Sequence, residues 1–341
     1  MSTTMTRLFG PMVAMLRRPA QRRRNAHALA SIPDGGVNRR EWVRLGGVEQ
    51  FVTIRGHHRG NPLLLVIHGG PASPYVPFNP ILSQWEQIVT VVQWDQRGAG
   101  QTFVRNGGDP YLSVDRLAND GLELADWLAG QFERPIILMG SSVGTVIAMR
   151  MARSAPRRFE HYVGANQVGL GSRAASWRQV RAAFEEQGKS RQIAALDALG
   201  PDPAEWTAKQ AEQVSKLAIA ATPDVPDMVH DLMLPALMYT PDYTMSDIRA
   251  IGTSMAAARE TLYAELLDPD LSGPFDLPVL LVHGRSDLVN PLSAVEALLP
   301  ALDAPSVDLV PVPGAGHLVE FAAPHQFAAI LRDKVPACSS S

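Results

Sequence analysis

The 341-residue sequence has a single cysteine, Cys338, which lies in a serine-rich stretch at its end. One cysteine cannot form an intrachain disulfide, and this one is a poor candidate for a nucleophile. No apolar run reaches the ~18 residues that a membrane-spanning helix needs. The net charge of −3 gives no reason to expect a nucleic-acid partner. With 46% hydrophobic and 19% charged residues, the composition predicts a globular, cytoplasmic protein without an integral membrane segment.

Basic charge is concentrated in the first 38 residues. Before the first acidic residue, Asp34, the chain carries Arg7, Arg17, Arg18, Arg22, Arg23 and Arg24. The apolar stretch between Arg7 and Arg17 is short and is followed by arginines, which is not typical of a secretory signal. We predict that residues 1–38 form a mobile or peripheral basic extension. The alternative is contact with a membrane surface through Leu8, Phe9, Met12, Val13 and Leu16.

Apolar runs of strand length alternate with helical patterns over most of the chain. In residues 41–55, apolar and polar residues roughly alternate on either side of Gly46-Gly47, which is typical of an antiparallel hairpin. Continuous apolar runs at 63–67, 89–94, 135–139 and 277–282 fit strands covered on both faces, and a more polar run at 307–312 indicates an edge strand. Ser113 is a good N-cap for a helix that reaches Gly130. The pattern predicts an α/β fold with a mainly parallel, doubly wound sheet.

This alternation stops between residues 170 and 274. Helix-like segments at 176–187, 191–199, 204–221, 226–237 and 245–267 are separated by breakers such as Gly200-Pro201. So long a segment exceeds a single crossover connection. We predict an inserted helical cap over residues 170–274, a core formed by residues 39–169 and 275–336, and a tail at 337–341.

The turn after the run 135–139 is the strongest local signal for chemistry. A tight turn from strand to helix needs small residues two before and two after its apex, and Gly140 and Gly144 place Ser142 there. A serine hydroxyl needs a base to take its proton and an acid to orient that base. Downstream, Asp287 follows the strand run 277–282, and His317 follows the run 307–312 within a loop of small residues. We predict Ser142 as nucleophile, Asp287 as orienting acid and His317 as base, with Glu320 as an alternative acid.

A tetrahedral intermediate also needs hydrogen-bond donors for its oxyanion. The N–H of Val143, directly after Ser142, is one candidate. The other is expected from the loop His68-Gly69-Gly70-Pro71, in which proline has no N–H. Gly69 and Gly70 remain, and Gly70 is the prediction. His68 and His283 each precede a glycine at a strand end and are predicted to be structural.

These motifs together resemble the proline iminopeptidase branch of the α/β-hydrolase superfamily. The resemblance covers residues 45–165 and 275–335 and is carried by HGGP at 68–71, DQRGAG at 95–100, GSSVG at 140–144, GRSD at 284–287 and GAGH at 314–317. It implies the α/β-hydrolase fold with Ser142, Asp287 and His317 as the triad. It also implies that Asp95 and Arg97 form an ion pair beside the site.

The sequence departs from that family at two positions near the predicted site. Val143 stands where the family's aminopeptidases commonly have tryptophan, and Ala72 follows HGGP where glycine is usual. Eight carboxylates of the predicted cap fall in no motif that would hold a peptide's free amine: Glu185, Glu186, Glu205, Glu212, Asp231, Asp247, Glu260 and Glu265. The cap's larger apolar residues include Trp177, Trp206, Leu232, Met233, Met238, Tyr239, Tyr243 and Met255.

These departures favour a small, largely apolar substrate over a peptide. The resulting prediction is a serine hydrolase that cleaves an ester, lactone or amide bond of such a substrate through an acyl-enzyme, with no metal and no cofactor. A proline iminopeptidase and a ligand-binding homologue without catalysis remain as alternatives.

Overall fold

The computed structural model describes residues 3–336, with side chains described from residue 14 onward. An eight-stranded sheet lies at the centre of this part of the chain, in the order β1-β2-β4-β3-β5-β6-β8-β10. Two further strands of two residues, β7 and β9, pair with each other. The bounds are β1 (Val37–Leu45), β2 (Val48–Gly56), β3 (Leu63–Ile67), β4 (Thr90–Asp95), β5 (Ile136–Ser141), β6 (His161–Ala165), β7 (Gly273–Pro274), β8 (Val279–Gly284), β9 (Leu302–Asp303) and β10 (Val307–Val312).

The direction of the strands follows from the sequence pattern. The hairpin β1–β2 is antiparallel and β2 pairs with β4 antiparallel, whereas all other pairs of the large sheet are parallel. The parallel strand β3 is buried at each of its positions, as expected for a strand covered on both faces. Its alternate residues Leu63 and Leu65 join the core on one side of the sheet, and Leu64 and Val66 join the core on the other. The predicted α/β fold is therefore confirmed, including the position of β10 at the sheet edge.

Thirteen α-helices are assigned in the described residues, and several cover the two faces of the sheet. Their bounds are α1 (Thr3–Ala30), α2 (Asn79–Leu82), α3 (Gly100–Asn106), α4 (Val114–Gln131), α5 (Val143–Ser154), α6 (Ser172–Glu186), α7 (Ser190–Asp197), α8 (Ala208–Ala220), α9 (Leu234–Tyr239), α10 (Met245–Leu262), α11 (Leu292–Leu298), α12 (Val319–Ala322) and α13 (Pro324–Lys334). Ser113 caps α4 as predicted, because its side chain accepts a hydrogen bond from Arg116 N. None of the described helices combines the length and the apolar character needed to cross a membrane.

The chain between β6 and β7, residues 166–272, is helical and is called here the helical insertion. It contains α6 to α10 and a π-helix at Met228–Met233 that runs directly into α9. Trp206, Phe184 and Leu196 are buried in a cluster formed mainly by insertion residues. These side chains therefore stabilise the insertion itself, whereas Leu232 joins the core against the sheet and Tyr243 packs with Phe51 of β2.

The N-terminal extension differs from the predicted mobile segment, although it is peripheral, as the other half of the prediction has it. It forms the long helix α1, and the side chain of Arg22 donates hydrogen bonds to the carbonyls of Thr240, Pro241 and Tyr243 at 2.8–3.2 Å. Asn25 donates to the carbonyl of Tyr239. Carbonyls at the end of α9 lack helical partners, so a cation from another helix is a favourable donor to them.

Two further differences concern residues near this extension. The strand β1 begins at Val37, inside the range assigned to the extension. The side chains of Leu8, Phe9, Met12 and Val13, and the tail 337–341 with Cys338, lie outside the described residues. Membrane-surface contact through the first four therefore stays a prediction.

One strand of the sheet was not predicted from the sequence. The strand β6 contains His161, Tyr162, Val163, Gly164 and Ala165 and pairs with β5 and β8. A polar residue and a glycine interrupt its apolar run, and it is only five residues long. Because β6 separates β5 from β8, it sets the spacing between the loops that carry Ser142 and Asp287.

Candidate active site

Ser142 lies at the apex of the turn between β5 and α5. Its backbone has φ 53° and ψ −126°, a strained combination for a residue with a Cβ. A Cβ on Gly140 would approach Gly144 O to 2.7 Å, and a Cβ on Gly144 would approach Ile67 O to 2.1 Å. Only glycine fits at these two positions, which explains the spacing found in the sequence.

The structure brings the predicted nucleophile, base and acid into one hydrogen-bonded chain. The Nε2 atom of His317 lies 3.0 Å from the Oγ of Ser142. The Nδ1 atom of the same ring lies 2.7 Å from the Oδ2 of Asp287. The other carboxylate oxygen, Oδ1, accepts hydrogen bonds from the N–H groups of Val289 and Asn290. Asp287 is thus held in one orientation and presents one oxygen to the imidazole.

Charges within this chain shift the pKa values of its acid and base. Burial alone would lower the pKa of His317, but the charge and the hydrogen bond of Asp287 outweigh burial and raise it above the ordinary 6.5. Burial alone would raise the pKa of Asp287. The charge and hydrogen bond of His317 outweigh burial, so the pKa of Asp287 is lowered. Each group therefore stabilises the charged form of the other.

Gly70 and Val143, the predicted oxyanion donors, both line the cavity next to Ser142. Among the described residues, neither N–H donates to a backbone group of a neighbouring element. Gly69 lies behind them, since a Cβ there would come within 2.9 Å of the Cβ of Ser142. The two N–H groups are therefore free to donate to a ligand atom.

A second polar cluster lies beneath the turn and was only partly anticipated. The Oγ of Ser141 donates a short hydrogen bond to Glu320 and lies 2.9 Å from the hydroxyl of Tyr75. The other oxygen of Glu320 accepts from Asn166 Nδ2 at 2.7 Å. Glu320, considered in the sequence as an alternative acid, is fully buried and bonds to these neighbours, whereas Asp287 bonds to His317. Burial raises the pKa of Glu320 above its ordinary value.

The predicted ion pair between Asp95 and Arg97 is wrong. Arg97 donates to both carboxylate oxygens of Asp120 on α4, at 2.8 and 3.0 Å. Asp95 instead accepts a short hydrogen bond from the hydroxyl of Tyr243 and one from the N–H of Gln101. The chain turns after Asp95, so the guanidinium extends towards α4, while the carboxylate stays at the start of α3. Burial raises the pKa of Asp95 to about 7.

His68 and His283, predicted to be structural, bond to neighbouring backbone. His68 is buried between the carbonyl of Gly69 and the N–H of Gln96, and burial lowers its pKa to about 4. His283 bonds to the carbonyl of Asn290 at 2.7 Å. His283 Nε2 also lies 3.6 Å from Oδ2 of Asp287, and neither ring forms a hydrogen bond with Ser142 among the described residues.

The hydroxyl of Ser142 and the ring of His317 open into a cavity of about 420 Å³ between the sheet and the helical insertion. This volume lies in the range of sites that enclose small organic molecules. Its wall is mainly apolar near Ser142 and includes Val146, Val168, Met228, Met233, Met255 and Leu318.

Few of the insertion residues named in the sequence analysis line this cavity. Of the eight apolar residues named in the sequence, only Met233 and Met255 line the cavity, and of the eight carboxylates only Glu212 does. The N–H of Val114 donates to the carboxylate of Glu265 outside the cavity, and Asp247 caps α10. Sequence periodicity identifies buried positions, but it does not separate those facing a cavity from those facing another helix.

The cavity wall carries charge of both signs but no cluster suited to a metal. In the part of the chain that the structure describes, no group of three His, Cys, Asp or Glu side chains is arranged to hold an ion. Two cations, Arg173 and Arg259, line the wall. No motif in the sequence singled out either of them.

The curated proteins that resemble this chain match only part of it. The probable aminopeptidase YbaC of Bacillus subtilis is 31% identical over 128 residues, which are 37% of this chain and 40% of that protein. Protein phosphatase methylesterase 1 of Bos taurus is 35% identical over 110 residues, which are 32% of this chain and 28% of that protein. The chain therefore spans less than half the length of these curated relatives.

Solved structures share the fold over nearly the whole chain. A proline iminopeptidase-related protein from Thermus thermophilus has a TM-score of 0.59 at 22% identity, covering 89% of this chain and 98% of its own. A membrane phospholipase A has a TM-score of 0.58 at 18% identity, covering 99% and 96%. The family model described as alpha/beta hydrolase fold matches residues 62–324. The chain therefore belongs to the α/β-hydrolase fold family.

Proposed function

We propose that the protein is a serine hydrolase that cleaves an ester, lactone or amide bond of a small, largely apolar substrate through an acyl-enzyme. The observation that carries the proposal is the hydrogen-bonded chain from Ser142 Oγ through His317 to Asp287. The cavity supports it, because Ser142 faces a mainly apolar space between the sheet and the helical insertion. The helical insertion acts as a cap that closes this space.

In the first half of the reaction, Ser142 Oγ attacks the substrate's carbonyl carbon while its proton passes to His317 Nε2. The carbonyl oxygen becomes an oxyanion, and the N–H groups of Gly70 and Val143 donate to it. His317 then gives the proton to the leaving alcohol or amine as its bond to carbon breaks. Asp287 stabilises the imidazolium throughout without taking its proton.

In the second half, water replaces the leaving group. His317 accepts a proton from the water as its oxygen attacks the acyl carbon, and a second oxyanion forms in the same place. Ser142 Oγ leaves as the intermediate collapses and recovers its proton from His317. One water is consumed, and the products are a carboxylic acid and the alcohol or amine.

Covalent labelling by a fluorophosphonate tests the proposal at Ser142. Wild-type protein should label, Ser142→Ala should not, and His317→Ala should label far more slowly because its serine lacks a base. Ser141→Ala serves as the matched control, since Ser141 is buried beneath the turn and bonds to Glu320. Absence of labelling in folded wild type would favour a ligand-binding homologue without catalysis.

An aminopeptidase that releases N-terminal proline is the second candidate, favoured by the similarity to the probable aminopeptidase YbaC. The wall's carboxylates count against it. Glu212 already pairs with Arg259 at 2.6 Å and Lys216 at 2.9 Å. Asp202 bonds to the N–H of Ala204. A substrate amine would therefore have to displace existing partners or use the exposed Asp268.

Hydrolysis of proline p-nitroanilide beside a series of p-nitrophenyl esters separates the two candidates. The proposal expects Ser142-dependent release of p-nitrophenol and little release of p-nitroaniline. Fast release from the proline amide, lost when its amine is blocked, would establish the aminopeptidase instead.

A further inference from the structure

Two arginines line the cavity that contains Ser142, and they differ in their surroundings. Arg259 has an ion-pair partner in Glu212, whose carboxylate lies 2.6 Å from its Nη1 and also pairs with Lys216. Arg173 forms no ion pair with any described residue. The other acidic residues of the wall, Asp202 and Asp268, are exposed and do not pair with it. One uncompensated positive charge therefore lies on an otherwise mainly apolar wall.

The guanidinium of Arg173 is fixed in place by two contacts. Its Nε and Nη2 both donate to the carbonyl of Leu266, at 3.2 and 3.0 Å. Its Cζ lies 5.2 Å from the centre of the Tyr263 ring. Both partners belong to the segment at and after the end of α10, whereas Arg173 lies in the first turn of α6. Nη1 donates to no described group, so one hydrogen of Nη1 and the second hydrogen of Nη2 remain as the end of the fork that binds oxyanions.

Burial makes this arrangement costly without a ligand. Arg173 is half-buried, and loss of water lowers its pKa below the ordinary value of an arginine. A partly desolvated charge is stabilised by a counter-ion with matching hydrogen bonds. The chain supplies such a partner to Arg259 and leaves Arg173 without one.

We propose that Arg173 binds a carboxylate carried by the substrate, so that the enzyme acts on esters or amides that have an apolar body and a carboxylate away from the cleaved bond. This inference rests on the proposed function, because the cavity is taken to hold a substrate of Ser142. A single carboxylate matches the single unpaired cation in charge, and the apolar wall accommodates the carbon chain between it and the reacting carbonyl.

The test compares p-nitrophenyl hemiesters of adipic to suberic acid with the same esters whose far carboxyl is methylated. Wild type should prefer the free acid at one chain length. Arg173→Met should lower the ratio of kcat/KM for the acid to that for the methylated ester by about tenfold to a hundredfold, the usual effect of losing a hydrogen bond to a charged partner. Because both substrates are assayed with the same preparation of each variant, a smaller fraction of folded enzyme lowers both rates equally and leaves the ratio unchanged.

Two further variants make the result specific. Arg173→Lys keeps the charge and should recover part of the preference. Arg178→Met removes an exposed arginine from the same helix and should leave the ratio unchanged. An equal ratio in wild type and Arg173→Met, or the same loss in Arg178→Met, would overturn the carboxylate site.

A binding measurement separates failure of this inference from failure of the proposed function. Ser142→Ala is titrated with monomethyl suberate and with dimethyl suberate in a calorimeter. Ser142→Ala should bind the monomethyl ester more tightly than the dimethyl ester, and the double variant Ser142→Ala, Arg173→Met should not. This result supports the site even if no ester is hydrolysed. Equal binding, or no binding of either, counts against it, whatever the activity of Ser142.

Discussion

At the scale of single residues, His317 is the group whose environment has the most direct effect on the proposed reaction. Asp287 raises its pKa above 6.5 despite burial. The base must be neutral to accept the proton of Ser142, so kcat/KM for a neutral ester should fall as pH drops through this raised pKa. We expect an acidic limb with an apparent pKa above 6.5 in the pH profile.

Asp287→Asn is the matched variant for this profile. Loss of the carboxylate should move the acidic limb to lower pH and reduce kcat by roughly 10⁴-fold, as in other triads with this change. A limb that stays at the same pH would assign the titration to a group other than His317. Ester hydrolysis from pH 5 to 9 provides the measurement.

Glu320 shows how a buried carboxylate depends on its neighbours. It accepts hydrogen bonds from Ser141 and Asn166, which are both buried donors. In Glu320→Gln the new amide nitrogen would face one of these donors, which leaves a polar group unsatisfied. We expect the free energy of unfolding to fall by about 1–3 kcal/mol. Urea denaturation measures it, with the exposed Glu296→Gln as control, where a change below about 0.5 kcal/mol is expected.

At the scale of elements, the docking of α1 on the helical insertion is open to test. Arg22 spans three carbonyls that follow α9, a contact between parts of the chain more than 200 residues apart. Arg22→Ala removes these bonds and should lower the free energy of unfolding by about 1–3 kcal/mol. It should also make α1 more accessible to trypsin. Arg24→Ala, which removes an exposed arginine of the same helix, should do neither; identical behaviour of the two variants would show that α1 is not held by Arg22.

The elements also show what sequence patterns can and cannot establish. Runs such as Leu63–Ile67 predict their strands because burial on both faces demands continuous apolar residues. The run through β6 is interrupted by Gly164, so its pattern does not predict a strand. The glycines around Ser142 predict its turn because a Cβ there would clash with backbone. Local chemistry of this kind is visible in a sequence.

Contacts between distant segments were not visible in the same way. Asp95 and Arg97 are two residues apart, yet their partners are Tyr243 and Asp120. The contact of Arg173 with Leu266 likewise depends on how α6 and α10 meet. Neither pairing leaves a periodic or spaced signal along the chain. The sequence thus predicts the central sheet and the triad, while the shape of the cavity follows from packing.

At the scale of the whole molecule, the buried pair of Asp95 and Tyr243 couples stability to pH. Burial raises the pKa of Asp95 to about 7 from the ordinary 3.8, and the nearby Asp242 and Asp247 act in the same direction. Between these pH values the folded protein keeps a proton that the unfolded chain has lost. This group therefore makes the folded state less stable as pH rises from about 4 to 7.

Asp95→Asn should remove that dependence. As pH rises through this window, the free energy of unfolding of wild type should fall relative to that of Asp95→Asn. The fall should be up to about 1.4 kcal/mol per pH unit. Urea denaturation at pH 4.5, 5.5, 6.5 and 7.5 measures it. Parallel curves for the two proteins would mean that Asp95 does not titrate there.

The order of the site residues along the chain also matters while the protein is being made. His317 is synthesised 175 residues after Ser142, and at ~5–20 residues per second that separation takes roughly 9 to 35 s. The helical insertion accounts for much of this interval. Throughout it, the Ser142 hydroxyl has no imidazole beside it, so a growing chain on the ribosome carries an unactivated serine.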